Sequence, residues 1–425
     1  MTFQDFDKTQ RQLIGLLLQT VVPILLAFTA IRALLLGGDL GRDPAAAWVY
    51  PLVFSVPPMV ILWALPYGKR LYWRDSWRSL SAPPALPSTS QVDADQNHYY
   101  VLLPGQSPRK GMVIWLAAWP CCILVFSLII WSAHRFLDNP HSMSGGLSAS
   151  MVPVYAIAFD QSRKMFLRAR RHLKPAIASP EHLPPGSYVL YLRPFEDDAR
   201  RAAVKENNLF ETRPTNPSPL WGSLMNLVIS SRDEEEHMAD ALSPVGPLFA
   251  VGSPEEIRLY AGALRTYLPK DSWKESVKHL IHGARLTVLA LGSSKGTMWE
   301  IAEAMRSLPP QRLLLMVPGG MEKKEYDMIR ETTALALQDV SDDGMNRTWK
   351  NNTPPSLPTY ASPEWRTDPV VSIIHFSADW EPTITRTPYK RDAPWGNLFT
   401  RLTHSLRPAL IQLVAYEEKT KRHYG

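Results

Sequence analysis

Cysteine is nearly missing from this 425-residue chain, and its only two, Cys121 and Cys122, are adjacent within an apolar run. They can build neither a disulfide framework nor a zinc site, and packing is the role that remains for them. Walker-type GKS or GKT sequences are missing as well, so the small-residue turn around Ser293 is not read as a P-loop. The histidines of "HLIH", His279 and His282, have no carboxylate or cysteine beside them in the sequence, which speaks against a metal site and makes them a surface feature. No internal repeat or low-complexity tract is evident. Almost all long apolar runs lie before Asp160, after which the chain takes on the mixed, charged texture of a globular domain.

Before Asp160 the texture is the opposite. Gly111–Ala133 runs for 23 residues without a charge, and roughly 20 apolar residues suffice to cross a bilayer as a helix. Two earlier runs and a shorter one, "LSASMVPVYAIAF", complete an expected set of about four spans over 12–36, 46–67, 111–133 and 147–160. Basic residues follow the second run (Lys69, Arg70, Arg74, Arg78) and the fourth (Arg163, Lys164, Arg168, Arg170, Arg171, Lys174). By the positive-inside rule both segments are cytoplasmic, and an even number of crossings satisfies this. The expectation is a transmembrane region over 1–160 and a multi-pass cell (inner) membrane location, with the C-terminal domain in the cytoplasm. The lipid bilayer then becomes the partner of the basic residues behind the net charge of +6, and no nucleic-acid partner is expected.

A basic helix and Pro-rich hinge over 161–186 lead into alternating strands and helices. "YVLYL", "PLFAV", "LTVLA" and "LLLMV" are continuously apolar, the pattern of parallel strands covered on both faces. "VVSIIHF" reads as a fifth strand, and "IRLYAGALRTYLPKD" as an irregular connection. "DEEEH" at 233–237 reads as a solvated helix face. The expected fold is therefore a helical transmembrane region followed by an α/β domain with a flavodoxin-like parallel sheet, helices on both faces, over 187–320. Residues 321–425 extend and complete it.

In such sheets ligands bind outside the carboxyl ends of the strands. That rule selects Arg193, Phe195, Asp197 and Asp198 after the first strand, with Arg193 suited to a phosphate. It also selects Ser293 and Ser294 in the turn before a helix, a place suited to an anion. The same helix is expected to hold Trp299 and Glu300 in its first turn. There an acidic residue either stabilises the helix start or serves chemistry at the sheet edge.

Four pieces occur in order: a strand ending in "LRPFEDD", a strand ending in "VGSP", the helix "DSWKESVKHLIHGAR", and the strand-turn-helix "VLALGSSKGTMWEIAEAM". In order and spacing they resemble a Toll/interleukin-1 receptor (TIR) domain, and more narrowly the TIR-like domains of bacterial membrane proteins. The likeness covers about Ser187–Gly320. A long polar insertion over Lys205–Pro219, the Pro-rich segment after Val340 and the wording "RPFEDD" depart from it. The resemblance implies that Glu300 takes the place of the glutamate that cleaves the nicotinamide–ribose bond of NAD, with Trp299 flanking a base. NAD would then be a substrate, and no bound cofactor is implied. It also implies self-association through "EEIRLYAGALRTYLPKD", where Arg258 or Arg265 would contact a neighbour. Two functions stay open: an NAD glycohydrolase activated by assembly, and a non-enzymatic signalling or scaffold module.

Overall fold

The computed structural model describes residues 70–77, 80, 100–101, 105–138, 143–174, 176–177, 180, 183–194, 234–252, 262–268, 273–338, 349, 354–359, 369–388 and 398–424. The chain divides into two compact units.

The first unit is described by two long helices, α1 (Pro108–Asp138) and α2 (Met143–Leu173). They pack against each other through small residues. Gly111 lies so close to His172 and to the backbone of Ala169 that a Cβ would fall within about 3.0 Å of them. Trp119 meets Phe166 edge-on at 5.4 Å, and Gln106 Nε2 donates to the carbonyls of Arg171 and Lys174 at the end of α2. Among the described residues no helix is long and apolar enough to cross a membrane. This overturns the expected transmembrane region and the multi-pass cell-membrane placement. The physical reason is visible in the pairing. The first half of the uncharged run lies beside the basic half of α2, and the apolar part of α2 is short and diluted by serines. Helix α2 also runs unbroken through residue 160, where a boundary is expected. The runs at 12–36 and 46–67 lie outside the described residues.

The second unit is built on a nine-stranded mixed sheet of order β1-β2-β5-β4-β3-β6-β7-β8-β9. The strands are β1 (Tyr100–Val101), β2 (Ala176–Ile177), β3 (Val189–Leu192), β4 (Leu248–Gly252), β5 (Leu264–Tyr267), β6 (Leu286–Ala290), β7 (Leu313–Pro318), β8 (Val370–Phe376) and β9 (Pro382–Arg386). From β2 to β7 every neighbouring pair is parallel. The edges are antiparallel: β1 on β2, β8 on β7 and β9 on β8. The expectation of a purely parallel, flavodoxin-like sheet is therefore corrected in two respects. "VVSIIHF" forms its strand but runs antiparallel, because the chain returns to the sheet along β7 and turns back at once into β9. "LRTY" within the expected loop is a strand, which gives the parallel part of the sheet the order β2-β5-β4-β3-β6-β7.

Among the described residues the helices α3 (Glu234–Leu242), α4 (Trp273–Gly283), α5 (Lys295–Ser307), α6 (Lys323–Gln338) and α7 (Leu398–Tyr424) cover the sheet, and a helical stretch over 70–76 packs Trp73 against the α3 side. Alternation within the strands assigns them to faces. Leu190, Leu192, Leu289, Leu313 and Leu315 share one core with Val277 and Leu280 of α4, Ile301 and Met305 of α5, and Tyr326 and Ile329 of α6. Val189, Tyr191, Val288, Leu314 and Met316 share the other with Met238 and Leu242 of α3 and Leu402, Leu406 and Leu410 of α7. Both faces of every central strand are buried, which is why these strands carry continuous apolar runs.

"DEEEH" departs most from expectation: Glu235, Glu236 and His237 are buried. The Glu235 carboxylate meets Arg265 at 2.5 Å and Arg193 at 2.8 Å, and accepts the Ala263 N–H at 2.6 Å. A Cβ on Gly262 would lie under 3.0 Å from the Glu235 side chain and backbone, so only glycine lets the "GALR" segment close over the carboxylate. Arg265 is 4% exposed and faces this carboxylate, not a neighbouring molecule, which corrects its expected role in self-association. Arg258 lies outside the described residues.

Burial alone would raise the Glu235 carboxyl. Arg265, then Arg193, then the Ala263 N–H outweigh it and hold it down at about 2. A carboxylate depressed in the folded state adds stability above its ordinary pKa and loses it as the folded-state pKa is approached from above. Stability should therefore decline as pH falls from about 4.5 toward about 2. Glu235→Gln should cost about 3–5 kcal/mol at neutral pH, because it removes the buried negative charge that two guanidinium groups share. Urea unfolding of both proteins across this pH range checks the magnitude and the sign.

Candidate ligand crevice at the strand crossover

The direction in which successive strands are added to the sheet reverses between the parallel neighbours β3 and β6. From β3 the chain passes through α3 to β4 on one side, whereas β6 passes through α5 to β7 on the other, with α3 and α5 on opposite faces. Such a crossover leaves a gap above the carboxyl ends of the two strands, the usual ligand position in open α/β sheets.

A cavity of about 230 Å³ lies at this edge, lined by Pro194 after β3, Leu291–Ser294 after β6, Pro318–Met321 after β7, and Glu325 of α6. Its floor is tight. A Cβ on Gly292 would collide with the ring of Pro194, so glycine is required where the β6 turn crosses the end of β3. Ser294 caps α5, accepting from the Thr297 N–H at 3.2 Å. Ser293 donates through Oγ to Glu325 Oε1 at 3.0 Å.

Among the described residues, those expected at the site separate into three groups. Ser293 and Ser294 line the crevice. Phe195, Asp197 and Asp198 lie outside the described residues. Arg193 is held elsewhere, paired with Glu235 and stacked 5.6 Å over the Tyr191 ring, so its charge is already matched inside the fold.

Trp299 and Glu300 form the third group. Helix α5 begins at Lys295 and has no acidic residue in its first turn. Both residues therefore lie deeper in the helix than expected, because Ser294 takes the cap. Trp299 packs edge-on against Trp273 of α4 at 5.2 Å, with Lys274 Nζ 5.5 Å over its ring. Glu300 is 6% exposed. Desolvation by burial pushes its carboxyl up to about 8, so at neutral pH it is a neutral acid. A neutral acid gains nothing from the helix dipole, which corrects the reading of Glu300 as a helix-start charge. Neither Trp299 nor Glu300 is among the residues that line the crevice.

Glu325 and the Gly319–Gly320 backbone are the crevice groups that the sequence reading missed. The available signal was "VPGG" at the end of β7, two glycines where a strand leaves the sheet. Among the described residues no group of histidines, cysteines and carboxylates is placed to hold a metal ion. Comparison with protein-family models, curated proteins and solved structures gives no match.

The state of Glu300 is open to measurement. Between its ordinary pKa of 4.5 and about 8 the folded chain keeps a proton that the unfolded chain releases. Stability should fall as pH rises through this window, by up to about 1.4 kcal/mol per pH unit. Glu300→Gln, which is neutral at every pH, should remove this slope and raise the melting temperature at pH 8. A variant that melts lower than wild type at pH 8 would contradict the assignment of a buried neutral acid.

Proposed function

We propose that the α/β unit is a TIR-type module that binds a nucleotide of the NAD class in the crevice above β3 and β6, and that cleavage of the nicotinamide–ribose bond is its reaction. The observation that carries this reading is the position of the cavity. It lies at the one place where the sheet's crossover opens, walled by two serines and by the backbone that follows β6 and β7. Helix α5, whose capping turn forms one wall, is also the helix that bears Glu300.

In the reaction the bond between ribose C1′ and the ring nitrogen breaks, and its electron pair neutralises the pyridinium. Water adds at C1′ and releases a proton. The ribose passes through an oxocarbenium-like state that a carboxylate stabilises. Resting Glu300 is uncharged, so it has to lose its proton before it can act. The substrate's own positive charge favours that loss, because an opposite charge nearby lowers a carboxyl pKa.

A second reading is a non-enzymatic interaction module of the same type. It draws support from the burial of Glu300 and from the pairing of Arg193 inside the fold, which leave the crevice with no charged group beyond Glu325 among its lining residues.

An assay of nicotinamide release by the full chain separates the two. Under the first reading NAD is consumed, and Glu300→Gln lowers the rate by roughly a hundredfold or more, the loss typical of removing one preorganised electrostatic group. Wild-type activity in the Gln variant would remove Glu300 from the chemistry. Calorimetrically demonstrated NAD binding without turnover would favour the second reading.

A further inference from the structure

We infer that Glu325 makes the crevice selective for a cationic ligand group, so that the nicotinamide end of an oxidised dinucleotide, not a phosphate, occupies the space between the β6 and β7 turns. The inference rests on the reading of the crevice as an NAD-class site. Its basis is the lining. Of Pro194, the Leu291–Ser294 turn, the Pro318–Met321 turn and Glu325, only Glu325 carries a formal charge, and that charge is negative. Arg193, the cation that the strand end would offer to a phosphate, is directed into the ion cluster with Glu235.

Glu325 is partly buried, in the first turn of α6, and its Oε1 accepts from Ser293 across the cavity. One hydroxyl donor leaves a carboxylate with unused acceptor capacity, since its two oxygens offer about four lone-pair sites. A dinucleotide phosphate in the same space would face that carboxylate with no cation among the described lining residues to offset the repulsion. A pyridinium ring would face an opposite charge. The hydroxyl of Ser293 fixes the carboxylate over the gap between the two turns, so the charge is positioned before any ligand arrives.

NAD+ and NADH test this directly, because they share their sugars and phosphates and differ in the ring's positive charge. Titration calorimetry on the full chain, in the cold and with nicotinamide release monitored in the same sample, should show NAD+ bound more tightly than NADH. The expected preference is roughly 1.5-fold to fivefold, the range of a partly exposed charge pair. Glu325→Gln keeps the shape, removes the charge and should abolish the preference without moving the melting temperature by more than a few degrees. Glu325→Asp should retain a preference. If wild type binds both dinucleotides equally, or if the preference survives in the Gln variant, the inference is overturned while the crevice stands as a dinucleotide site. If neither dinucleotide binds wild type, the site assignment falls and the inference falls with it. The wild-type comparison needs no variant, so poor folding of Glu325→Gln does not remove the test.

Discussion

A single buried carboxylate ties three separate pieces of the α/β unit together. Glu235 belongs to α3, Arg193 follows β3, and Arg265 sits in β5. None of the three charges is tolerable in the core alone, since an isolated buried ion costs several kcal/mol. Glu235 is acceptable there because both guanidinium groups reach its carboxylate. The cluster thus couples the docking of α3 on its face to the addition of β5 outside β4, and Gly262 supplies the close approach that completes it. The ion cluster also decides what the sheet edge can offer a ligand: with Arg193 committed to Glu235, the strand end above β3 contributes a proline ring to the crevice.

The sequence makes part of this legible and conceals the rest for identifiable reasons. β3, β4, β6 and β7 stand out because both faces of each are covered, so every position is apolar and no alternation is needed to find them. α4 and α5 show themselves through their apolar stripes. β5 is hidden because its middle residue is Arg265, and a charge in a short run signals a loop. The carboxylate 30 positions earlier pairs with that arginine inside the core. The same pairing hides the burial of "DEEEH". Long-range charge neutralisation has no local signature, so a reading based on local polarity inverts at both partners together. The antiparallel course of β8 has a similar cause. Strand direction follows from where the chain re-enters the sheet, which residue type does not encode.

The uncharged run in α1 illustrates a different limit. Length and absence of charge measure how a helix would fare alone in a low-dielectric medium. They do not record what lies beside it. Basic α2 runs along the first half of that stretch, with Gly111 and Ala169 in close approach. The two helices meet at these small residues and, further along, through Trp119 and Phe166.

Two glutamates in the same unit show how little residue type fixes chemical state. Glu235 and Glu300 are almost equally sequestered, at 3% and 6% exposure. One remains ionised down to about pH 2, and the other stays protonated up to about pH 8. Desolvation acts on both in the same direction, and the difference lies in company: two guanidinium groups and an N–H hold the first, and among the described residues no such group offsets burial at the second. The arrangement follows from topology. Side chains from β3, β5 and α3 converge on the α3 face, so opposite charges are brought together there. The α4–α5–α6 face is assembled from apolar stripes, and Glu300 enters it among Ile301, Ala302, Ala304 and Met305. Such an environment holds a carboxyl neutral until a positive charge arrives to compensate its ionisation. If Glu300 has a chemical role, it is therefore one gated by the charge of the ligand itself, and the same groups that make it silent at rest make it responsive to a cation.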